Sequence, residues 1–122
     1  MPDRAWRKWL AAHSPVKTVD VRQTGPDSLV VSLRGPLDEK SAERAGRALA
    51  HLLDAGPHQA HIDLTRAGDL GPSLTGAVFV PLAVAARARA VAVTVHHAAP
   101  RTRASLRALG LDRVLAHSDD TP

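Results

Sequence analysis

The sequence predicts a single α/β domain in which a mixed β-sheet carries packed helices. The chain has 122 residues, a length that suits one hydrophobic core. Short apolar segments alternate along it with longer segments of helical periodicity. Its aromatic residues are Trp6, Trp9 and Phe79 alone, so the core must be aliphatic, which favours layered packing over an aromatic-rich barrel.

A hairpin and a helix come first. Residues 16–22 alternate apolar and polar side chains, and the turn-forming residues 25–28 lead into an apolar segment at 29–33. This pattern predicts two antiparallel strands. Gly35-Pro36 ends the second strand, and Asp38 stands at the N-cap position of a helix with one apolar face.

The remaining segments alternate between strand and helix. Residues 61–64 predict a short buried strand, residues 76–89 an apolar helix, and residues 91–95 a strand covered on both faces. A last helix begins at Pro100, and Val114-Leu115 is a candidate edge strand. The order is therefore β-β-α-β-α-β-α, and right-handed crossovers make part of the sheet parallel.

The same patterns suggest three parts of the chain. Residues 1–15 predict a short N-terminal helix, with Trp6 and Trp9 at neighbouring positions, that either covers an edge of the domain or acts as a docking arm. Residues 16–117 form the domain, and residues 118–122 form a polar, flexible tail.

Composition excludes several classes of protein. The chain has no cysteine, which rules out disulfides, thiolate metal sites and cysteine nucleophiles. The longest apolar run, residues 77–86, is far shorter than the roughly twenty residues of a membrane span. We therefore expect a cytoplasmic protein without membrane insertion. Pro81 lies inside that run and predicts a helix that begins late or bends.

The net charge of +4 raises the question of an acidic partner. Nucleic acid is not expected, because the basic residues are scattered arginines and few aromatic side chains are available for stacking on bases. Arg101, Arg103 and Arg107 form either an anion-binding or acidic-partner patch or the solvated face of the last helix.

Candidate catalytic and metal-binding groups do not form a motif. His58, His61, His96 and His97 lack metal-ligand spacing, and we expect exposed histidines at strand ends rather than a metal site. The sequence contains no nucleophile elbow, no phosphate-binding Gly-x-x-x-x-Gly-Lys loop and no paired-carboxylate motif. Neither an enzyme nor a cofactor is expected.

The most informative segment runs from His61 to Leu82, where a strand, a loop rich in Gly, Pro and hydroxyl residues, and an apolar helix follow one another. The first N–H groups of a helix lack intrahelical partners and carry partial positive charge. Ser73 and Thr75 therefore either cap this helix or place a phosphate at its N-terminus.

Three segments together resemble the sulfate transporter and anti-sigma factor antagonist (STAS) domain. Residues 33–38, Leu-Arg-Gly-Pro-Leu-Asp, match its Gly-x-Leu/Ile-Asp turn, and residues 61–76 match its Asp-Leu-Ser strand end leading to Asp-Ser-Ser-Gly-Leu. Residues 106–115, Leu-Arg-Ala-Leu-Gly-Leu-Asp-Arg-Val-Leu, match its Leu-x-x-x-Gly-Leu segment. The resemblance implies a binding module. Free-standing members bind an anti-sigma factor that is also a Ser/Thr kinase, which phosphorylates the first Ser of the motif and so ends the association.

The phosphorylation motif itself diverges. When the motif is aligned without a gap from Asp63, its phosphorylated Ser falls on Pro72. When it is aligned back from Gly76, the phosphorylated Ser falls on Leu74, the second Ser on Thr75 and the Asp on Ser73. Asp69 either replaces the motif's acid or only forms a turn. Neither alignment places a hydroxyl at the primary acceptor position.

The predicted function is an anti-sigma factor antagonist-like module whose partner is an anti-sigma factor or Ser/Thr kinase-like protein. Ser73 and Thr75 are the candidate phospho-acceptors. The predicted partner-binding residues are Asp38, Thr65, Arg66, Asp69, Pro72, Ser73, Leu74, Thr75 and Gly76. An accessory subunit of a lipid or anion transport complex, and a small-ligand sensor, remain alternatives. The sequence also leaves homodimerisation open.

Overall fold

A computed structural model describes residues 18–122, and the expectations for the N-terminal extension, residues 1–15, lie outside the described residues. Five strands form one sheet in the order β1-β2-β3-β4-β5. Their bounds are β1 (Val19–Gly25), β2 (Ser28–Leu33), β3 (Gln59–Asp63), β4 (Ala92–His96) and β5 (Ala116–Ser118). β1 pairs antiparallel with β2, and every later pair is parallel. The predicted mixed sheet is confirmed.

Within residues 18–122, three α-helices connect successive parallel strands: α1 (Glu39–Leu52), α2 (Pro72–Arg89) and α3 (Pro100–Ala108). Short 3₁₀ turns follow α1 at Leu53–Ala55 and α3 at Leu111–Arg113. The amides of Val114 and Leu115 both donate to the carbonyl of Leu111, over 3.1 and 2.9 Å. This turn geometry places the edge strand after Leu115, so the prediction of a strand at residues 114–115 is wrong by two residues.

Alternate residues of the central strands point toward the helices. The buried strand residues of this face are Leu29, Val31, Leu33, Ala60, Ile62, Val93 and Val95. Residues at helical spacing complete the core from the other side: Ala42, Ala45, Leu49 and Leu52 of α1, and Val78, Phe79, Leu82 and Ala86 of α2. Among residues 18–122, Phe79 is the one aromatic side chain in a core that is otherwise aliphatic, as the composition predicts.

The contact between α1 and α2 explains how Pro81 is tolerated. α2 begins at Pro72 and continues through Pro81 to Arg89, so the expectation of a late start is wrong. Pro81 has no N–H to donate to the carbonyl of Ala77, four residues earlier. Gly46 of α1 packs so closely on that carbonyl oxygen that a Cβ at this position would overlap it. A backbone Cα–H of α1 therefore lies against the oxygen that Pro81 leaves without its helical partner.

Candidate functional site

The loop between β3 and α2 begins with a side-chain turn. Asp63 Oδ1 accepts hydrogen bonds from the amide of Thr65 over 3.0 Å and from its hydroxyl over 2.6 Å. This arrangement satisfies the carboxylate locally and turns the chain away from the end of the strand. Thr65 and Arg66 consequently lie on the surface, whereas Leu64 and Ala67 on either side are buried.

The turn after β2 is joined directly to this loop. The amide of Gly35 donates to the carbonyl of Arg66 over 2.8 Å. A Cβ on Gly35 would lie 2.6 Å from the carbonyl oxygen of Ala67, which a side chain cannot approach so closely. Two of the three segments that carry the family resemblance therefore meet through their backbones, and the meeting requires glycine.

Asp38 lies at the end of the same turn and caps α1. Its Oδ1 accepts from the amide of Ser41 over 2.8 Å, and the Ser41 hydroxyl accepts from the amide of Asp38 over 2.9 Å. The carboxylate also accepts from the Ser41 hydroxyl over 2.9 Å, and the hydrogen bonds from the Ser41 amide and hydroxyl lower the pKa of the Asp38 carboxyl. The carboxyl is exposed and ionised, so it can both cap the helix and face a partner.

The second half of the loop is anchored to α3 through Leu70. The Leu70 amide donates to Thr102 Oγ1 over 2.9 Å, and its carbonyl accepts from Thr75 Oγ1 over 3.1 Å and from Ser105 Oγ over 3.2 Å. All of these groups are buried. Thr102 and Ser105 are not among the predicted site residues, although two hydroxyl residues three positions apart on the inward face of a helix are a signal for such an anchor.

The two candidate hydroxyls at the start of α2 have different environments. The N-cap is Gly71, no side chain caps the helix, and Pro72 occupies the first helical position, so the alternative that Ser73 or Thr75 caps the helix is wrong. Thr75 is fully buried and its hydroxyl donates to Leu70. Ser73 is exposed in the first helical turn.

The predicted binding residues form a partly exposed surface. Asp38, Thr65, Arg66, Asp69, Pro72 and Ser73 are exposed, Leu74 and Gly76 are half-buried, and Thr75 is buried. Arg101 of α3 adds a cation here, because its guanidinium lies 3.0 Å from where a Cβ on Gly71 would be. The N-terminus of α2 thus presents an exposed hydroxyl beside an arginine.

His61 and His96 lie elsewhere, on the sheet face opposite the one that α1 and α2 cover. His96 Nδ1 donates to the carbonyl of Asp120 over 2.7 Å, because a carbonyl oxygen can only accept. His96 Nε2 is then an acceptor in the neutral ring and takes the Nδ1 hydrogen of His61 over 2.8 Å. His96 is only 5% exposed, so the expectation of exposed histidines at strand ends is wrong for this residue.

No three His, Cys, Asp or Glu side chains of residues 18–122 come together as metal ligands. None of the helices in this part of the chain combines the length and apolarity that crossing a bilayer requires.

Comparison with known proteins supports the fold. A family model described as "Mlab, STAS domain" matches residues 7–116. SpoIIAA of Bacillus in its phosphorylated form is 16% identical, with 84% of this chain and 92% of that chain aligned and a TM-score of 0.63. A Ser-to-Glu variant of RsbS from Moorella thermoacetica is 20% identical, with 84% and 87% aligned and a TM-score of 0.69.

A third solved structure, an anti-sigma factor antagonist from Mycobacterium paratuberculosis, is 23% identical, with 84% of this chain and 86% of that chain aligned and a TM-score of 0.66. A search of curated proteins finds no significant relative. At these identities the solved structures establish the fold, and the family match extends over most of the sequence. The chain therefore belongs to the STAS domain family, in the group described as Mlab.

Proposed function

We propose that this protein is a regulatory binding module, not an enzyme, that acts in the manner of an anti-sigma factor antagonist. Its partner would be an anti-sigma factor or a Ser/Thr kinase-like protein. SpoIIAA, RsbS and the mycobacterial antagonist, which share its fold, support this class of role. The docking surface would consist of the Gly35–Asp38 turn, the loop 65–71 and the first turn of α2.

The observation that carries the proposal is the way in which these three segments are held together. Gly35 bonds to Arg66 on one side of the loop, and Leu70 bonds to α3 on the other. The exposed residues between them are consequently displayed on a backbone that is fixed at both ends. A preorganised surface binds a protein partner with a smaller loss of conformational entropy.

Ser73 is the phospho-acceptor that we propose for this surface. It is exposed in the first turn of α2, where the helix dipole and the neighbouring Arg101 favour an anion. A phosphate would bring a charge of about −1.5 to −2 into the contact area while the domain keeps its fold. Thr75 is a poor acceptor, since a phosphate there would remove the buried bond to Leu70.

The test uses the full chain, tagged and expressed in its native host. We expect one partner to copurify with the wild type and to bind Ser73→Glu at least about tenfold more weakly, equivalent to roughly 1.4 kcal/mol. Gln59→Glu is the matched control, because Gln59 is exposed at the opposite end of β3. Incubation with the recovered partner and ATP should place a phosphate on Ser73, located by mass spectrometry. If Ser73→Glu and Gly35→Ala leave every association unchanged, the proposed docking surface is wrong.

The family match favours a second candidate, because its description is the Mlab type of STAS domain. In that case the protein would be an accessory subunit of a lipid or anion transport complex and would use the same surface for a permanent contact. The same purification distinguishes the two candidates. Recovery of a kinase-like protein that is released after incubation with ATP supports the first, and recovery of a transport ATPase or membrane subunit supports the second.

A further inference from the structure

The exposed side of α2 carries an apolar stripe that begins at Ser73. Ser73, Ala77, Val80, Val84 and Arg87 follow one another at spacings of four and three residues, so they lie on one face of the helix. At 1.5 Å per residue this face is about 21 Å long. Val80 is 42% exposed and Val84 is 64% exposed.

Exposed large apolar side chains are scarce elsewhere in residues 18–122. Besides Val80 and Val84, only Leu109 is in this class, at 42% exposure. Leu109 Cδ1 lies 3.7 Å from where a Cβ on Gly76 would be, so it borders the N-terminal half of the stripe. All three exposed apolar residues therefore belong to one side of the molecule, next to the proposed docking surface.

A groove between α1 and α2 runs beside the stripe. Its volume is about 400 Å³, and it is lined by Glu43, Arg47, Gly76, Ala77, Val80 and Pro81. The α2 side consists of small or apolar residues, and the α1 side carries the charged side chains of Glu43 and Arg47. Side chains of a narrow segment could enter this shallow, open groove.

Charge decides which occupant fits. Every charged side chain of α2 and α3 is an arginine: Arg87, Arg89, Arg101, Arg103 and Arg107. Arg89 pairs with Asp54 and Arg103 with Asp119, but the other three form no ion pair within residues 18–122. A second copy of this chain would bring like charges together across the stripe, which is unfavourable.

We infer that the partner contributes an acidic amphipathic segment that lies along the stripe. Its apolar side chains would cover Ala77, Val80 and Val84. Its carboxylates would face Arg87 at one end of the stripe and Arg101 at the other, since Arg47 shares its side of the groove with Glu43. This inference rests on the proposed function and adds the chemistry of the partner. It also explains how Ser73 would act, because a phosphate at the N-terminal end of the stripe repels an acidic segment directly.

The test titrates the full chain with a fluorescent amphipathic peptide of about 15 residues, long enough to follow the stripe as a helix. Leucines occupy one face of the peptide and glutamates the other, and a second peptide carries lysines in place of the glutamates. We expect the acidic peptide to bind at least about tenfold more tightly than the basic one, with affinity falling as salt rises from about 0.05 to 0.5 M. Val84→Glu and Arg87→Glu should each weaken binding, and Gln59→Glu should not. Thermal melts establish that all three variants are folded.

Four outcomes would overturn the inference. Equal binding of both peptides would show that charge plays no part. Binding to phosphatidylglycerol vesicles, lost in Val84→Glu, with no peptide binding, would indicate a lipid surface. A concentration-dependent dimer that Val84→Glu abolishes would make a second copy the occupant. A natural partner whose binding is lost in Ser73→Glu but unaffected by Val84→Glu would refute this inference and leave the proposed function intact. A natural partner whose binding does not change in Ser73→Glu would count against the proposed function itself.

Discussion

The amide of Gly35 donates to the carbonyl of Arg66 over 2.8 Å, although 31 positions separate the two residues in the sequence. The bond joins the turn after β2 to the loop after β3, at the ends of two neighbouring parallel strands. Because the strands are paired along their length, their following segments leave the sheet at the same edge. The docking surface proposed for this protein is therefore a consequence of the sheet register.

Replacement of Gly35 by alanine should disturb this junction. The new Cβ would lie 2.6 Å from the carbonyl oxygen of Ala67, so the turn or the loop must shift. We expect the free energy of unfolding to fall by about 1–3 kcal/mol and partner binding to weaken as well. Gly25→Ala is the control, since its Cβ would meet only Ser28 Cβ at 3.9 Å. Urea unfolding measures both variants, and equal stability of the two would contradict the close approach.

The two glycines inside helices should respond in opposite ways to alanine. A Cβ on Gly46 would overlap the carbonyl oxygen of Ala77, whereas a Cβ on Gly76 would make an ordinary contact of 3.7 Å with Leu109. Gly46→Ala should cost about 1–3 kcal/mol or more through overpacking. Gly76→Ala should be neutral or stabilising by up to about 1 kcal/mol, because alanine favours the helix. Thermal unfolding would refute the account of the α1–α2 contact if the two variants were equally stable.

The anchor at Leu70 predicts a specific effect at Thr102. Thr102→Val keeps the shape of the side chain but leaves the buried amide of Leu70 without an acceptor, which should cost about 1–3 kcal/mol. Thr102→Ser restores the hydroxyl and should recover most of that loss. Hydrogen exchange of the Leu70 amide gives a direct readout, and we expect faster exchange in the valine variant only. Unchanged protection would mean that the hydroxyl does not hold the loop.

The His61–His96 pair predicts a dependence of stability on pH. Burial, and then the neighbouring His96, lowers the pKa of His61 below its ordinary value of 6.5. The unfolded chain therefore takes up a proton at a higher pH than the folded protein does. The free energy of unfolding should fall as the pH drops through about 6.5 and level off below the folded-state pKa.

The variant His61→Gln should lose this part of the pH dependence, and His58→Gln, at an exposed position, should keep it. A residual slope is expected in both, because burial also lowers the pKa of His117. Urea unfolding between about pH 5 and 8 is the measurement. Identical slopes for the wild type and His61→Gln would show that the pKa of His61 is not lowered in the folded protein.

Residue patterns predicted much of this architecture because strands and helices here have clear periodicity. The alternation of residues 29–33 and the spacing of Ala42, Ala45 and Leu49 translate directly into buried faces. The edge strand was misplaced because the turn at Leu111–Arg113 depends on backbone hydrogen bonds that no side-chain pattern reports. The start of α2 was missed because Pro72 and Ser73 are polar-loop residues by composition, yet proline is well suited to the first helical position.

The candidate site was harder to predict than the fold. The segment 65–76 stood out in the sequence, but no local pattern reports the hydrogen bonds that join Leu70 to Thr102 and Ser105 of α3. These contacts join residues more than thirty positions apart. The packing of Gly46 on Ala77 is likewise a contact between distant positions, since it depends on where α1 and α2 cross. Sequence patterns indicate faces and ends of elements, but not which distant groups meet there.

The central claim is that a protein partner docks on the loop 65–71 and the start of α2, and hydrogen exchange of the complex tests it most directly. The account predicts slower exchange on binding at the amides of residues 35–38, 65–71 and 73–77. It also predicts that phosphorylated Ser73 prevents this protection. Protection confined to the opposite face of the sheet, at Arg22, His61 and Thr94, with none in the loop, would contradict the claim.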